Sequence, residues 1–328
     1  MQAYLGIDLG SVSTNFLVLN EDKTIMASHY LRTQGNPIEA VKKGLIQLKE
    51  QLPAKITING TGSTGSGRHL AGIMVGADTV KNEITAHGIA ATNELPAVRT
   101  VLEIGGQDSK IIVLRKGMVV DFAMNTVCAA GTGSFLDRQA ERLGLQIEQF
   151  GQLALKARNP VRIAGRCAVF AETDMIHKQQ LGHPMQDIAA GLCQALVRNY
   201  LNNVAKGKEI VAPVLFQGGV AANAGIKQAF EQALGLEVIV PKQYSVMGAL
   251  GAALLAKEKM RSKSKSNFRG FKIGFWDFKV KSKHCHGCCN CCEVVEIAVG
   301  GETLACWGDR CGRWGQQFSS QRAPSARV

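Results

Sequence analysis

Apolar runs and their spacing lay out two similar rounds of structure. Residues 3–9 (Ala-Tyr-Leu-Gly-Ile-Asp-Leu) predict a strand, and 16–19 and 25–30 follow as strands, making a β-meander. Over 37–52, Ile38, Val41, Leu45 and Leu48 recur on one face at helical spacing. A short buried strand is expected at 56–59. The second round starts near Val98, with strands at 100–104, 110–114 and 118–124. A helix is predicted over 134–143, where Leu136, Ala140 and Leu143 form one stripe and Gly144 acts as its stop. A long helix at 187–204, strands at 214–216 and 237–240, and a helix at 247–259 close the body. Each round reads strand, Gly-rich turn with an acid, strand, strand, helix. A duplicated α/β fold with a cleft between its halves, 1–96 and 97–256, is the expectation.

The pattern changes after residue 256. A basic linker is expected at 257–283, a Cys-rich module at 284–315, and a polar, disordered end at 316–328. The formal net charge is +12, but from Lys257 onward there are 14 Lys/Arg against 6 Asp/Glu, so most of the excess belongs to the tail. Lys279, Lys281 and Lys283 read as a solvated face rather than a nucleic-acid site. The longest uncharged run, between Glu209 and Lys227, contains Gln, Pro and Asn and makes a poor membrane span. With no secretory signal apparent, a cytoplasmic protein is expected. In that compartment ten cysteines point to metal ligation or redox work rather than disulfides.

Three glycine-rich turns carry candidate chemistry. In Asp8-Leu-Gly-Ser-Val-Ser-Thr-Asn15 a strand ends in an acid and enters a turn rich in hydroxyls. Backbone N–H groups there suit phosphate oxygens, and Asp8 suits a Mg²⁺ ion held through water. Glu103-Ile-Gly-Gly-Gln-Asp-Ser-Lys110 repeats the arrangement, and Phe216-Gln-Gly-Gly-Val-Ala-Ala-Asn223 leads from a strand through a Gly pair into a helix start. Each turn alone also reads as an ordinary polar turn. No Gly-x-x-x-x-Gly-Lys-Ser/Thr loop is present, so a P-loop is excluded.

In this order the three turns resemble the two phosphate motifs and the adenosine motif of the actin/hexokinase/heat-shock ATPase superfamily, which has a ribonuclease H-like fold. Two further segments sharpen the resemblance, Cys128-Ala-Ala-Gly-Thr-Gly133 and the segment around Cys167, together with Thr64-Gly-Ser-Gly-Arg68. Over roughly 3–256 the chain closely resembles the activators of 2-hydroxyacyl-CoA dehydratases, a family that also contains ATPase subunits of benzoyl-CoA reductase. Asn15 stands where better-known members carry Lys, Glu103 where they carry Asp, and Ser66 where they carry Tyr.

The resemblance implies an ATP-driven one-electron donor. ATP or ADP would lie on Gly10, Ser11, Val12, Ser13, Thr14, Asn15, Gly105, Gly106, Gly131, Thr132, Gly133, Gly218, Gly219 and Gln243. Asp8, Gln107 and Asp108 would place Mg²⁺ and water. One 4Fe–4S cluster would be shared across a homodimer, with Cys128 and Cys167 from each chain as ligands. Reduced ferredoxin or flavodoxin would supply electrons, and the client would be a dehydratase or related iron–sulfur reductase.

The residues themselves support this in part. A helix N-terminus after Cys128 lowers thiol pKa and suits an anionic cluster, although a buried apolar Cys is the plain alternative. Cys193, on an apolar helical stripe, reads as core. In the tail, Cys285, Cys288, Cys292 and Cys311 match a module of larger activase-like proteins, implying a zinc or iron site, with His284 and His286 as substitutes. The alternative is a remnant of a longer chain with free thiols. Two other functions fit the ATPase superfamily without a cluster: a small-molecule kinase and an ATP-sensing scaffold.

Overall fold

A computed structural model describes residues 1–125 and 128–314. The first half opens with β1 (Gln2–Leu9), β2 (Ser13–Asn20) and β3 (Ile25–Arg32), then α1 (Pro37–Glu50), β4 (Thr57–Thr64), α2 (Arg68–Val75), β5 (Thr79–Val80) and α3 (Glu83–Glu94). The second continues with β6 (Thr100–Ile104), β7 (Ser109–Arg115), β8 (Met118–Asn125), α4 (Gly133–Arg142), α5 (Ile147–Ala154), α6 (Ala168–Gln180), α7 (Met185–Asn203), β9 (Val214–Gln217), α8 (Ala224–Leu234), β10 (Val238–Ile239) and α9 (Met247–Met260). Three further strands follow: β11 (Phe278–His284), β12 (Glu293–Val299) and β13 (Glu302–Trp307).

The two large sheets have the same strand order. One runs β3-β2-β1-β4-β5 and the other β8-β7-β6-β9-β10. In each, an antiparallel meander pairs with two parallel strands. The registers also match: Asp8 faces Asn15 across β1–β2, and Glu103 faces Lys110 across β6–β7. The duplicated α/β fold expected from the hydrophobic pattern is present.

Helix α9 returns from the end of the body onto the first sheet. A Cβ on Gly6 would lie 1.9 Å from the Ala249 carbonyl oxygen, so only hydrogen there lets helix and strand backbones touch. A core of Leu17, Leu19, Val101, Leu114, Leu215 and Leu250 fills the space where α3 and α9 lie between the sheets. The second half is built round Leu102, Phe216, Tyr200 and Phe230, and Cys193 is part of that core, as expected. Burial pushes its thiol up to about 12.

The stretch 257–283, read above as a linker, is packed against the body. Asp78 holds it: its carboxylate accepts from Lys263 Nζ and Ser266 Oγ at 2.6 Å and from the Asn267 N–H at 2.9 Å. Ile273, Phe278 and Ile297 then join the core of the first half, so the small antiparallel sheet β11-β12-β13 is anchored there. The stretch 316–328 lies outside the described residues. Among the described residues no helix is long and apolar enough to cross a membrane. Among the described residues β8 is the outermost strand of the second sheet, and it exposes Met118, Val120, Phe122 and Met124.

Candidate functional site

The turns after β1 and β6, the Gly pair after β9 and the start of α9 converge on one cleft of about 540 Å³ between the halves. Asp8, Gly10, Ser11, Val12, Ser13 and Asn15 line one wall. Gly105, Gly106, Gln107, Asp108, Gly133, Gly218 and Gly219 line the other. Gly218 has φ +89°, and a Cβ there would sit 2.3 Å from the Ile104 carbonyl oxygen, so this turn admits no side chain.

Four of the residues expected to bind nucleotide lie outside that lining. Thr14 alternates to the far side of its strand and bonds Thr33 at 2.9 Å. Thr132 turns back to the Ala129 carbonyl at 2.7 Å, and Gly131 packs against Asn199. Gln243 accepts the Val246 N–H on its carbonyl, and the residues this turn presents to the cleft are Tyr244 and Ser245.

The cleft floor is a buried charge cluster. Lys110, 2% exposed, has its Nζ 2.9 Å from Glu83, 3.0 Å from Glu103 and 2.9 Å from Asp108. One cation cannot neutralise these three together with the nearby Asp8. Burial pushes Glu103 up to about 8, with Lys110 pulling the other way. Burial and the Glu83 charge raise Asp8 to about 7. Its carboxylate lies against Gly248 in the first turn of α9, where the helix N-terminus favours an anion. Burial holds His87 down at about 3, so its ring is neutral.

Glu83, His87, Tyr244 and Ser245 also line the cleft, and sequence reasoning did not single them out. Glu83 and His87 belong to a helix with no clear apolar stripe, α3. Their best signal was negative: an acid and an imidazole among Ile84, Ala86, Gly88, Ala90 and Ala91, all buried.

The two cysteines expected to hold a cluster, Cys128 and Cys167, lie outside the cleft lining. Cys128 precedes a single 3-10 turn, Ala129–Gly131, and α4 starts only after Thr132. Cys128 is thus set apart from the helix start, whereas Cys167 is itself the N-cap of α6. Asn199 of α7 ties the two loops together. Its Nδ2 donates to the Gly165 carbonyl at 2.6 Å and comes 4.0 Å from Cys128 Sγ. Asn125 brackets the other loop, accepting from the Cys128 N–H at 3.0 Å and donating to its carbonyl at 2.8 Å. Both thiols are half-buried, and the first turn of α6 exposes Val169 (68%) and Phe170 (64%) beside Cys167. Asn199 was legible in principle, as the one amide on the apolar stripe of Ile188, Leu192, Ala195 and Leu196.

The description of the BadF/BadG/BcrA/BcrD ATPase family matches residues 5–256. The chain belongs to that family. Among curated relatives, it is 35% identical over 257 residues to the (R)-2-hydroxyglutaryl-CoA dehydratase activating ATPase of Acidaminococcus fermentans, covering 78% of this chain and 97% of that one. The solved activator of 2-hydroxyisocaproyl-CoA dehydratase from Clostridium difficile, with bound ADPNP, superposes with a TM-score of 0.72 at 31% identity, covering 79% of this chain and 96% of that one. A glucokinase from Streptomyces griseus, at 12% identity and a TM-score of 0.51 over 78% of this chain and 99% of its own, shares the fold alone. The actin/hexokinase-like ATPase fold is thus that of this family member.

The BadF/BadG/BcrA/BcrD match ends at residue 256, and the C-terminal module lies beyond it. There, Cys285, Cys288 and Cys292 lie in the loop between β11 and β12, and Cys311 lies in the segment after β13. The loops abut: a Cβ on Gly287 would come 3.4 Å from Arg313. Yet among the described residues no three His, Cys, Asp or Glu side chains stand together as a metal site. Cys311 turns instead to Asp309 at 3.6 Å, and Cys285 N–H donates to the Cys292 carbonyl at 2.8 Å. The four tail cysteines, as placed, do not fit a tetrahedral ion.

Proposed function

We propose that this ATPase-family member is an ATP-dependent, one-electron activator of a partner 2-hydroxyacyl-CoA dehydratase or related iron–sulfur reductase. One observation carries the reading: on a nucleotide-type fold, Asn199 holds two half-buried cysteine loops side by side, next to exposed apolar residues of α6. Two thiolates are half of a four-cysteine ligand set. A symmetric pair of chains presents the same patch twice and completes it. The donor set therefore fits a 4Fe–4S cluster held by Cys128 and Cys167 of each chain, which would supply reversible one-electron chemistry. Val169 and Phe170 supply apolar surface for such contacts. The named activators among the relatives favour the same client class, and reduced ferredoxin or flavodoxin is the electron source we assign.

In the cleft, the 10–13 and 105–108 turns receive the phosphates on backbone N–H groups, and the open side of Gly219 leaves room for the nucleoside. Because Glu83, Glu103 and Asp108 are already paired with Lys110, Asp8 is the carboxylate free to hold Mg²⁺, which takes most of its ligands from phosphate and water. Gln107, on the cleft wall, orients the attacking water. Among the described residues, the buried amide oxygen of Asn15, which lines the cleft, has no hydrogen-bond partner and suits a donor on the nucleotide or its water shell.

The deciding experiment is anaerobic reconstitution with iron and sulfide. The wild-type chain is expected to be a brown dimer, and Cys128→Ala or Cys167→Ala to lose the visible absorption while still binding ADPNP. A variant that retains the full spectrum overturns the ligand assignment.

A further inference from the structure

Helix α3 touches both nucleotide turns of the second half through one of its faces. Glu83 and His87 are four residues apart and stack on the same side of the helix. Glu83 reaches Lys110 at 2.9 Å, and Lys110 holds Asp108 of the 105–108 turn at 2.9 Å. His87 Nδ1 takes the Nε2 amide of Gln217 at 2.6 Å, and Gln217 immediately precedes the Gly218–Gly219 pair. An adjacent side of α3 is packed on α9, where a Cβ on Gly251 would come 1.9 Å from the Ala86 carbonyl oxygen. Helix α9 in turn lies on the first sheet.

We infer that Glu83 and His87 are positioning residues coupling the phosphate and nucleoside turns of the second half to the α3–α9 pair. This rests on the nucleotide reading of the cleft. Lys110 is one cation divided among Glu83, Glu103 and Asp108, so a phosphate arriving beside Asp108 competes for it and changes its hold on Glu83. The His87–Gln217 bond is neutral and does not join that competition, so the second contact stays fixed while the first changes. Asn15, the residue in register with Lys110 in the first half, carries no charge, so the link exists on one side of the cleft only.

The test is hydrogen–deuterium exchange on the full chain at saturating ADP and at saturating ADPNP. In the wild type, amide exchange across 83–94 and 247–260 is expected to differ between the two nucleotides. Glu83→Gln, which keeps the shape and removes the charge, is expected to reduce that difference at least twofold, and Glu83→Ala to abolish it. His87→Gln serves as the second variant should Glu83→Ala not fold, and is expected to shrink the difference in 83–94. Wild-type-sized differences in Glu83→Gln and His87→Gln overturn the coupling. A wild type that binds both nucleotides by calorimetry yet shows no difference overturns it too. Failure of the wild type to bind either nucleotide removes the reading beneath it and the coupling together.

Discussion

Asp8 and Glu103 hold equivalent places in the two sheets, and both are buried acids whose protons are hard to remove. A carboxyl raised above its unfolded value stabilises the fold while protonated and loses that contribution as pH climbs through the raised value. For the nucleotide-free protein the loss runs from the ordinary carboxylate range up through about 7 for Asp8 and about 8 for Glu103. Thermal midpoints are therefore expected to fall between roughly pH 5 and pH 9. Glu103→Gln, already neutral, is expected to flatten that slope, and an unchanged slope would count against the assignment. At this scale the legible residues were those whose chemistry is written locally. Asp8, Gly10, Gln107 and Asp108 sit in Gly-rich turns that stood out in the sequence, and the structure brings all four to the cleft. Glu83 and His87 escaped notice because their partners, Lys110 and Gln217, are distant in the chain.

Among the elements, the strands of both rounds other than the two-residue β5, and the helices α1, α4, α7 and α9, followed from periodicity, since each presents one apolar stripe or run to a core. Helices α2, α3, α5 and α6 did not, and α3 and α6 show why. The first is buried on several sides by small residues, and the second buries little beyond Ala171 and Met175 while exposing Val169 and Phe170. A helix that faces solvent or a partner with apolar residues has no stripe to read. The same reason hid the setting of Cys167, whose identity as a candidate ligand was plain but whose place at the head of α6 was not. Asn199→Ala tests how the cysteine loops are held. Leaving the Gly165 carbonyl without its donor is expected to cost about 1–3 kcal/mol in denaturant unfolding. It should also raise exchange across 165–167 while leaving ADPNP affinity unchanged, and no change at 165–167 would remove Asn199 from this role.

For the molecule as a whole, one carboxylate joins the ATPase body to the C-terminal module. The Asp78 side chain is fully buried and accepts from Lys263, Ser266, Asn267 and the Thr61 N–H, which together hold its carboxyl below the usual range despite burial. Asp78→Ala is expected to destabilise the fold by about 2–4 kcal/mol, read by urea denaturation, because Lys263 and two N–H groups lose their acceptor. Protease cleavage near 260–270 should appear alongside that loss, and a variant as resistant as the wild type would show that the apolar contacts of Ile273 and Phe278 suffice. The outer strand of the second sheet has a practical consequence for anyone storing this protein. Among the described residues β8 is the outermost strand of its sheet, and its exposed Met118, Val120, Phe122 and Met124 invite strand-to-strand sticking between molecules. Concentrated stocks are expected to turn cloudy on standing, and Phe122→Lys to keep them clear at several-fold higher concentration by light scattering.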